Sequence, residues 1–375
     1  MSEADPKHFT VDVHRDIREL EKEWRALESS GRCTAFQCYD FVAPLYSAFR
    51  EHRRAEPLIV LVREAASGDL MMILPLCETK VGRNRVIGFA DLRVADYCAP
   101  IMASSFRPDA DTFRALWNAI EKALPPSDLL HLSKLPHHVG NSINPLLLLS
   151  PCAPYHVKAH GATLSRPWDR CCQSLLSRKQ RQSLRRKGRN LESCGAVEFK
   201  THDGGPDAER VFETLYEMRR SRFSKLERDD ALADEMWAGF YRDLVHGRSA
   251  HPFARLIELT SGGDTVAGAL GLIHDGAFLL LIPSFDMERF GRYSPGMLLI
   301  FRGMETFTEA GLTYFDLTIG DEPYKDLFGV DNRELFEVVR PLSTRGRLPA
   351  TLWRLKIFVR RHPALHAGLK RMLRR

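Results

Sequence analysis

The order of secondary-structure elements that the sequence predicts occurs twice along the chain, and this repetition restricts the fold more than any other feature. Each half reads strand, two helices, three strands, helix, strand, helix, strand, judged from the spacing of its apolar residues. We find no residue-level repeat between the halves, so the duplication rests on element order alone. We therefore predict two tandem α/β (α+β) domains, each a mixed central sheet flanked by helices.

The predicted domains are residues 1–165 and 166–343, followed by a basic tail over 344–375. With 44% hydrophobic and 27% charged residues, the chain has the composition of a soluble globular protein. Its first residues are polar and charged, and no apolar run reaches the ~20 residues that span a bilayer, so a cytoplasmic protein is predicted. The eight cysteines form no Cys-x-x-Cys pair, which favours reduced thiols over a metal or disulfide framework.

Two basic tracts stand out from an otherwise acidic chain. Residues 178–190 hold seven Lys/Arg and residues 340–375 hold eleven, without an acid in either; the rest of the chain has 36 basic against 48 acidic residues. The first tract predicts an exposed helix that rests Leu184 and Leu191 on the protein body. The second suits an interfacial helix on an anionic membrane; the alternative is a helix packed on the acidic body with its charges outward.

A short turn, RYSPG from Arg292 to Gly296, lies between an apolar strand and a helical pattern. Ser294 predicts an N-cap, Pro295 suits the first helical position, and Gly296 allows a ligand to approach the backbone. The helix start thus offers free amides and a partial positive charge beside the Arg292 guanidinium. We predict a phosphate or pyrophosphate site there, with a capped turn that holds no ligand as the alternative.

The element order resembles the GNAT acyltransferase fold, in which the pyrophosphate of acyl-CoA lies at a turn between the fourth strand and the next helix. RYSPG occupies that position. The sequence is more closely similar to the tandem-GNAT, CelD-like acetyltransferases of cellulose biosynthesis, relatives of the FemABX aminoacyl transferases. Three segments within about 166–340 carry this similarity: SRKQRQSLRRKGRNLESCGAVEF, FDMERFGRYSPGMLL and YFDLTIGDEPYKDLFG. The first half of the chain is similar by fold only.

The resemblance implies transfer of an acyl group, with acetyl-CoA as the leading donor, to an amine or hydroxyl of a sugar, polysaccharide or envelope precursor. Only Gly296 remains of the glycines in the single-domain GNAT loop, so another activated acyl donor is an alternative. Backbone amides near Pro283 and Ser284 are expected to face the thioester carbonyl. Tyr324 matches a tyrosine that protonates the departing thiolate in many GNAT enzymes; a packing tyrosine is the alternative.

Carboxylates near the end of the strand YFDL are candidates for a general base. Asp316, Asp321 or Glu322 could take a proton, directly or through water, if partial burial raised its pKa. For Asp321, capping of a short helix that begins at Glu322 is the favoured alternative. Lys325 is expected to meet a phosphate or carboxylate of the acceptor, or to be a solvated charge.

In the first half, only Asp96 and Tyr97 of VADYCAP are candidates for binding the acceptor, in a cleft between the halves. An ordinary loop pair is the favoured alternative. The histidines are dispersed without metal-ligand spacing, so no metal is predicted.

Two other functions stay open at this point. An aminoacyl-tRNA-dependent transferase of the FemABX type would use the basic segment 178–190 for tRNA. A GNAT scaffold without catalysis would bind a partner through its basic surfaces. Membrane contact by the tail would fit a lipid-linked glycan precursor as acceptor.

Overall fold

The computed structural model describes residues 8–52, 54–225, 231–246 and 253–361, and the chain divides into two compact units. The N-terminal unit comprises 1–156 together with 334–375, and the C-terminal unit comprises 157–333. The last fourteen residues of the predicted tail, 362–375, lie outside the described residues.

Within its described residues, the first part of the chain forms nine strands and three helices, in the predicted order except that three short strands are added and the predicted fourth helix is a 3-10 turn at Pro145–Leu148. The helices are α1 (Glu21–Ser30), α2 (Tyr39–Glu51) and α3 (Ala110–Ala123). The strands are β1 (Phe9–His14), β2 (Glu56–Glu64), β3 (Leu70–Val81), β4 (Asn84–Phe89), β5 (Ile101–Met102), β6 (Leu129–Pro136), β7 (His138–Val139), β8 (Ser142–Ile143) and β9 (Cys152–Pro154).

The described residues of the second part form seven strands and six helices before the chain returns to the N-terminal unit. The helices are α4 (Trp168–Leu175), α5 (Arg178–Glu192), α6 (Gly205–Lys225), α7 (Glu235–His246), α8 (Met287–Phe290) and α9 (Pro295–Ala310). The strands are β10 (Ala159–Thr163), β11 (Val197–His202), β12 (Ala254–Ser261), β13 (Asp264–His274), β14 (Ala277–Phe285), β15 (Tyr314–Ile319) and β16 (Asp331–Arg333). Strand β17 (Leu335–Pro341) and helix α10 (Arg347–Arg361) follow.

The main sheet of the N-terminal unit has the order β1-β2-β3-β4-β6-β17-β9, with β5 beside β3. Its neighbours are antiparallel except for β4 and β6, which run parallel with Ile87 opposite Leu130. Helix α2 contributes Val42, Leu45 and Phe49 to the core, since residues three, four and seven positions apart share one helix face.

The sheet of the C-terminal unit repeats this arrangement as β11-β12-β13-β14-β15-β10-β16. Here too, a meander of four antiparallel strands is followed by a parallel pair, β14 and β15. Helix α9 lies against this sheet, where the Phe307 ring stacks on that of Phe278 with 4.5 Å between centroids. The predicted mixed α/β architecture with two similar sheets is confirmed.

Strand pairing places two segments differently from the predicted domain boundaries. Strand β10 precedes residue 166 but pairs with β15 in the C-terminal unit. Strand β17 was predicted to end the second domain, yet it pairs with β6 in the N-terminal unit. The boundaries at 165/166 and 343/344 therefore differ from the observed ones, because backbone hydrogen bonding across the sheet, and not chain order, assigns both strands.

Helix α10 occupies the first part of the predicted basic tail. Within the described ranges, no helix combines the length and the apolar character that crossing a bilayer requires.

Candidate functional site

The parallel strands β14 and β15 separate soon after they begin. Their pairing covers only Ala277–Leu279 opposite Tyr314–Asp316. On the other side of β14, the register with β13 shifts so that Leu281 is an extra residue, a β-bulge that bends the strand. The Leu280 carbonyl still accepts from Thr318 Oγ1 of β15 at 3.0 Å, and beyond it a gap replaces the strand pairing on this side of β14.

A cavity of about 710 Å³ occupies this gap. Its walls come from α6, from β14 and the turn that follows it, from the start of α9, and from the segment after β15. Six candidate residues from the sequence line it together: Pro283, Ser294, Gly296, Glu322, Tyr324 and Lys325. Four other predicted residues of the same unit do not belong to its lining: Ser284, Arg292, Asp316 and Asp321.

The start of α9 differs from the predicted side-chain cap. Ser294 occupies the N-cap position with φ 54° and ψ 58°, and its side chain makes no capping hydrogen bond. In this left-handed conformation, the Ser294 hydroxyl points away from the first turn of α9. It accepts a hydrogen bond from Lys187 Nζ at 2.7 Å. The Ser294 carbonyl instead accepts from the amides of Met297 (3.0 Å) and Leu298 (3.2 Å).

One backbone N–H group in the first turn of α9 is therefore without an acceptor among the described residues. Pro295 has no amide hydrogen, and among the described residues the amide of Gly296 has no acceptor. A Cβ added at Gly296 would lie 3.0 Å from the Phe285 ring, so a side chain there would crowd the cavity wall. The helix start thus presents one free N–H and the positive end of the helix dipole to the cavity.

Lys187 belongs to α5, and the predicted basic helix is confirmed. A capping box of Ser177 and Gln180 begins the helix, and Leu184 and Leu191 are buried as expected. The role of Lys187 was missed because it is one of seven cations in the tract. The signal was available: Lys187 lies three residues after Leu184 and four before Leu191, which places it on the inner face of the helix.

The predicted phosphate contact, Arg292, points elsewhere. Its side chain is exposed, with the guanidinium 4.7 Å from the centroid of the Tyr293 ring. The arginines that line the cavity are Arg219 and Arg222 of α6, and the Arg222 guanidinium lies 4.4 Å from the centroid of the Phe285 ring. Sequence analysis missed both, since α6 is about seventy residues from the turn and gave only a helical pattern.

Tyr324 lines the cavity and is partly buried. Burial, assisted by the Glu322 carboxylate, raises the pKa of Tyr324 to about 12. At neutral pH its phenol is therefore protonated and acts as a hydrogen-bond donor.

The predicted short helix is a 3-10 turn at Lys325–Phe328, and its N-cap residue is Tyr324, not Asp321. Asp321 precedes the turn by too many residues to cap it, so the capping interpretation is wrong. Its Oδ1 lies 3.4 Å from Nε2 of the buried His160, a residue that sequence analysis did not single out.

The carboxylates divide into buried and cavity-lining groups. Asp316 is 3% exposed; its Oδ2 accepts from Arg333 Nη2 at 2.7 Å and its Oδ1 from the Thr318 amide at 2.8 Å. Glu322 lines the cavity, 3.1 Å from Lys325 Nζ. Lys325 is 2% exposed and donates to the Ile319 carbonyl at 2.7 Å, so the expectation of a solvated charge is wrong.

The remaining predicted residues lie in other surroundings. The Ser284 side chain is buried and, within the described ranges, its Oγ has no hydrogen-bond partner. Tyr97 is buried in the N-terminal unit, where its ring meets that of Phe36 edge-on at 5.6 Å. Neighbouring Asp96 is partly buried, and acceptor binding by this pair stays a prediction.

Residues 178–326 match the family model described as an acetyltransferase (GNAT) domain. The matched segment contains α5, all the cavity-lining elements and Tyr324, so the similarity to a GNAT domain falls on the C-terminal unit. The resemblance predicted from the sequence is confirmed at this level, and the CelD-like subgroup stays a prediction. A search of curated protein sequences returns no match.

Many solved structures have similar folds, among them the following three. The crystal structure of FemX is 11% identical, with a TM-score of 0.60 over 84% of this chain and 95% of its own. The C-terminal domain of a putative lysylphosphatidylglycerol synthetase from Agrobacterium fabrum is 13% identical, with a TM-score of 0.55 over 92% of this chain and 97% of its own. L-PGS from Bacillus licheniformis is 13% identical, with a TM-score of 0.53 over 91% and 97%. At such identities, the similarity shows the fold alone.

Proposed function

We propose that the C-terminal unit is an acyltransferase that moves an acyl group, acetyl first among the candidates, from acyl-CoA to an amine or hydroxyl. The observation that carries the proposal is one cavity lined both by the start of α9 at Ser294–Gly296 and by Tyr324. A sugar, polysaccharide or envelope precursor is the acceptor class that the CelD-like resemblance implies.

The groups at the start of α9 suit the diphosphate of such a donor. The free Gly296 amide and the helix dipole favour an anion, and Lys187 adds a charge within hydrogen-bond reach of Ser294. Arg219 and Arg222 make the opposite wall basic. A single free amide is a weak cradle by itself, so these side chains supply most of the attraction.

Acyl-CoA, when bound, supplies an acyl group activated as a thioester. The chain supplies a gap in the sheet where β14 backbone groups meet no neighbouring strand and can orient the donor. Tyr324 carries its proton and can donate a hydrogen bond to the departing sulfur. With a pKa near 12, it would stabilise negative charge on sulfur more readily than give up its proton.

Glu322 is our candidate for taking the proton of the acceptor. It is the acidic residue in the cavity lining, and Lys325 holds its carboxylate in place. In the net reaction, a C–N or C–O bond forms, the C–S bond breaks, and the proton from the acceptor passes through Glu322 or solvent to the sulfur. Asp316 is not assigned this step, because both of its oxygens accept hydrogen bonds within the protein.

A specific observation favours a second candidate, an aminoacyl-tRNA-dependent transferase. Helix α5 contacts the start of α9 through Lys187 and exposes Arg178, Lys179, Arg185, Arg186 and Arg189 to solvent. Such a row can bind the phosphates of a nucleic acid, with an affinity that falls steeply as salt increases. Retention of tRNA at low salt, lost in Arg185→Glu/Arg186→Glu, would support this candidate over a CoA donor.

Calorimetry with acetyl-CoA tests the leading proposal. In Gly296→Glu, we expect at least about a hundredfold loss of affinity, because a carboxylate replaces the free anion site and its side chain meets Phe285. Gly239→Glu is the matched control: it makes the same charge change in α7, where an added Cβ meets nothing within 4 Å. Acetyl-pantetheine, which lacks the diphosphate, should bind weakly and equally to all three proteins.

The outcomes separate the candidates. Equal binding of acetyl-CoA by Gly296→Glu and Gly239→Glu would remove the start of α9 from the donor site. A folded protein that binds neither acetyl-CoA nor tRNA would support the third possibility, a GNAT scaffold without catalysis.

A further inference from the structure

Helix α10 has one face packed against the N-terminal unit. Ala350 is 2% exposed and joins a small core with Leu129 and Val339, against which Trp353 also packs. The Trp353 indole donates a hydrogen bond to Glu337 Oε2 at 2.9 Å. This face fixes which residues of α10 are turned outward.

The opposite face carries exposed leucines. Leu348, Leu352 and Leu355 are 68%, 56% and 57% exposed. At 3.6 residues per turn, their positions lie within an arc of about 60°, directly away from Ala350 and Trp353. The other large apolar residues exposed in the described ranges lie on five separate elements or loops, so only α10 gathers three of them in one stripe.

Cations border this stripe, and acids are missing from the sequence around it. Lys356 lies on one side of the leucines and Arg347 and Arg354 on the other, all exposed. Residues 340–375 contain eleven Lys/Arg and no Asp or Glu. Long basic side chains on both sides of an apolar stripe can place their charges at headgroup level while the leucines enter the acyl region.

We propose that α10 docks the protein on an anionic lipid bilayer, with Leu348, Leu352 and Leu355 inserted and the flanking cations on the headgroups. A second copy of the chain fits this surface less well, since two-fold pairing would bring identical basic borders together. A fluid bilayer also accepts a convex stripe without a complementary groove. This proposal is independent of the acyltransferase proposal.

Vesicle flotation of the full-length protein tests the docking. We expect binding to phosphatidylcholine vesicles that contain phosphatidylglycerol, weak binding to phosphatidylcholine alone, and release by high salt. The variant Leu348→Ser/Leu352→Ser/Leu355→Ser should lose at least about thirtyfold in partition coefficient. Because these leucines are exposed, its thermal midpoint should match that of the wild type. The control, Val81→Ser/Ile143→Ser, removes equally exposed apolar residues and should change binding by less than about twofold.

Charge reversal separates docking through α10 from general attraction of a basic protein. Arg354→Glu/Lys356→Glu should weaken binding by about tenfold or more, and Arg185→Glu/Arg186→Glu, with the same charge change on α5, by much less. Equal losses in the two reversals would overturn the proposal, as would equal binding to neutral vesicles or no binding at all. A dimer in light scattering that the triple serine variant converts to monomer, without vesicle binding, would assign the stripe to a second copy instead.

Discussion

The two units use the same strand order around a parallel pair, but they treat the gap beside that pair differently. In the C-terminal unit, β14 and β15 separate and a cavity fills the gap. In the N-terminal unit, the parallel pairing of β4 and β6 is shorter still, at Val86–Ile87 opposite Leu129–Leu130. There, the chain that leaves β4 folds back, and the Cys98 amide donates to the Lys134 carbonyl of β6 at 3.0 Å.

We call the segment 91–98, which folds back between β4 and β6, the plug. An ion pair between Lys134 and Asp91 holds it in place. Lys134 is 6% exposed, and its Nζ donates to Asp91 Oδ1 at 3.0 Å and to the Ala95 carbonyl at 2.6 Å. Burial lowers the pKa of Lys134 and the Asp91 carboxylate raises it, with a net upward shift that keeps the lysine charged. The N-terminal unit thus fills with its own chain the position that a cavity occupies in the C-terminal unit.

The helix starts differ in the same sense. At α3, the Asp109 carboxylate accepts from the Thr112 amide at 2.8 Å, and this bond lowers the pKa of Asp109. A carboxylate there occupies the anion position that a phosphate would need. At α9, Ser294 leaves that position uncapped and Lys187 adds positive charge. Under the acyltransferase proposal, this sheet topology forms a donor site only where the helix start and the strand gap are both left open.

Breaking the plug should have the largest effect. Lys134→Met leaves the partly buried Asp91 carboxylate without its cation, and we expect the free energy of unfolding to fall by about 3–5 kcal/mol. Chemical denaturation measures it, with the exposed Lys80→Met as control, expected to change stability by less than about 0.5 kcal/mol. A loss in Lys134→Met no larger than in the control would mean that the ion pair does not hold the loop.

A carboxylate at the N-cap of α9, like the one at the N-cap of α3, should prevent phosphate binding there. Ser294→Asp is expected to weaken acetyl-CoA binding by about fiftyfold or more, because the new charge pairs with Lys187 and repels the diphosphate. Asp109→Ser, the reciprocal change in the N-terminal unit, should leave acetyl-CoA affinity unchanged in the same calorimetric titration. Similar losses in the two variants would erase the distinction between the units.

Tyr324 provides a pH-dependent test of the open site. Its folded-state pKa of about 12 exceeds the ordinary value near 10. The stability that the protonated phenol contributes is therefore complete below pH 10 and is lost as pH rises toward 12. Tyr324→Phe should therefore lose less stability than wild type between pH 10 and 12, by up to about 2 kcal/mol. Denaturation at both pH values measures this difference, and parallel losses would show that Tyr324 is not buried as described. In the same variant, we expect turnover at pH 7 to fall by about tenfold.

Lys187 should give the smallest effect. Lys187→Met removes the hydrogen bond to Ser294, and we expect about a fivefold loss of acetyl-CoA affinity, with the thermal midpoint little changed. Its exposed neighbour on α5, Arg186→Met, removes the same charge away from the helix start and is expected to lose less than twofold. Indistinguishable affinities would assign the effect to overall charge.

Much of the fold was predictable because its signals are local. Apolar periodicity located most of the longer helices and strands but not α4, and the run Ser294-Pro295-Gly296 located a helix start. The exchange of β10 and β17 between the sheets was not predictable, since it depends on pairing between strands far apart in sequence. Arg219 and Arg222 were missed for the same reason. The pattern of a helix face shows which residues are turned inward, but not which cavity they line.

The site was predicted in part for a similar reason. Tyr324, Ser294 and Gly296 meet in one cavity, as the resemblance to GNAT enzymes implied. The resemblance gave no rotamers, so Arg292 was assigned to a phosphate although its side chain packs over Tyr293. Serine seldom adopts the left-handed backbone conformation seen at Ser294, and no sequence pattern predicted it. This conformation directs the Ser294 hydroxyl to Lys187.

Hydrogen exchange measured by mass spectrometry with and without CoA tests the difference between the units most directly. We predict slower exchange, on CoA binding, in peptides that cover 291–300 and 317–325, and unchanged exchange in peptides that cover 88–98 and 109–115. Protection confined to the N-terminal peptides, or CoA binding without protection at 291–300, would contradict the claim that the uncapped start of α9 holds the donor.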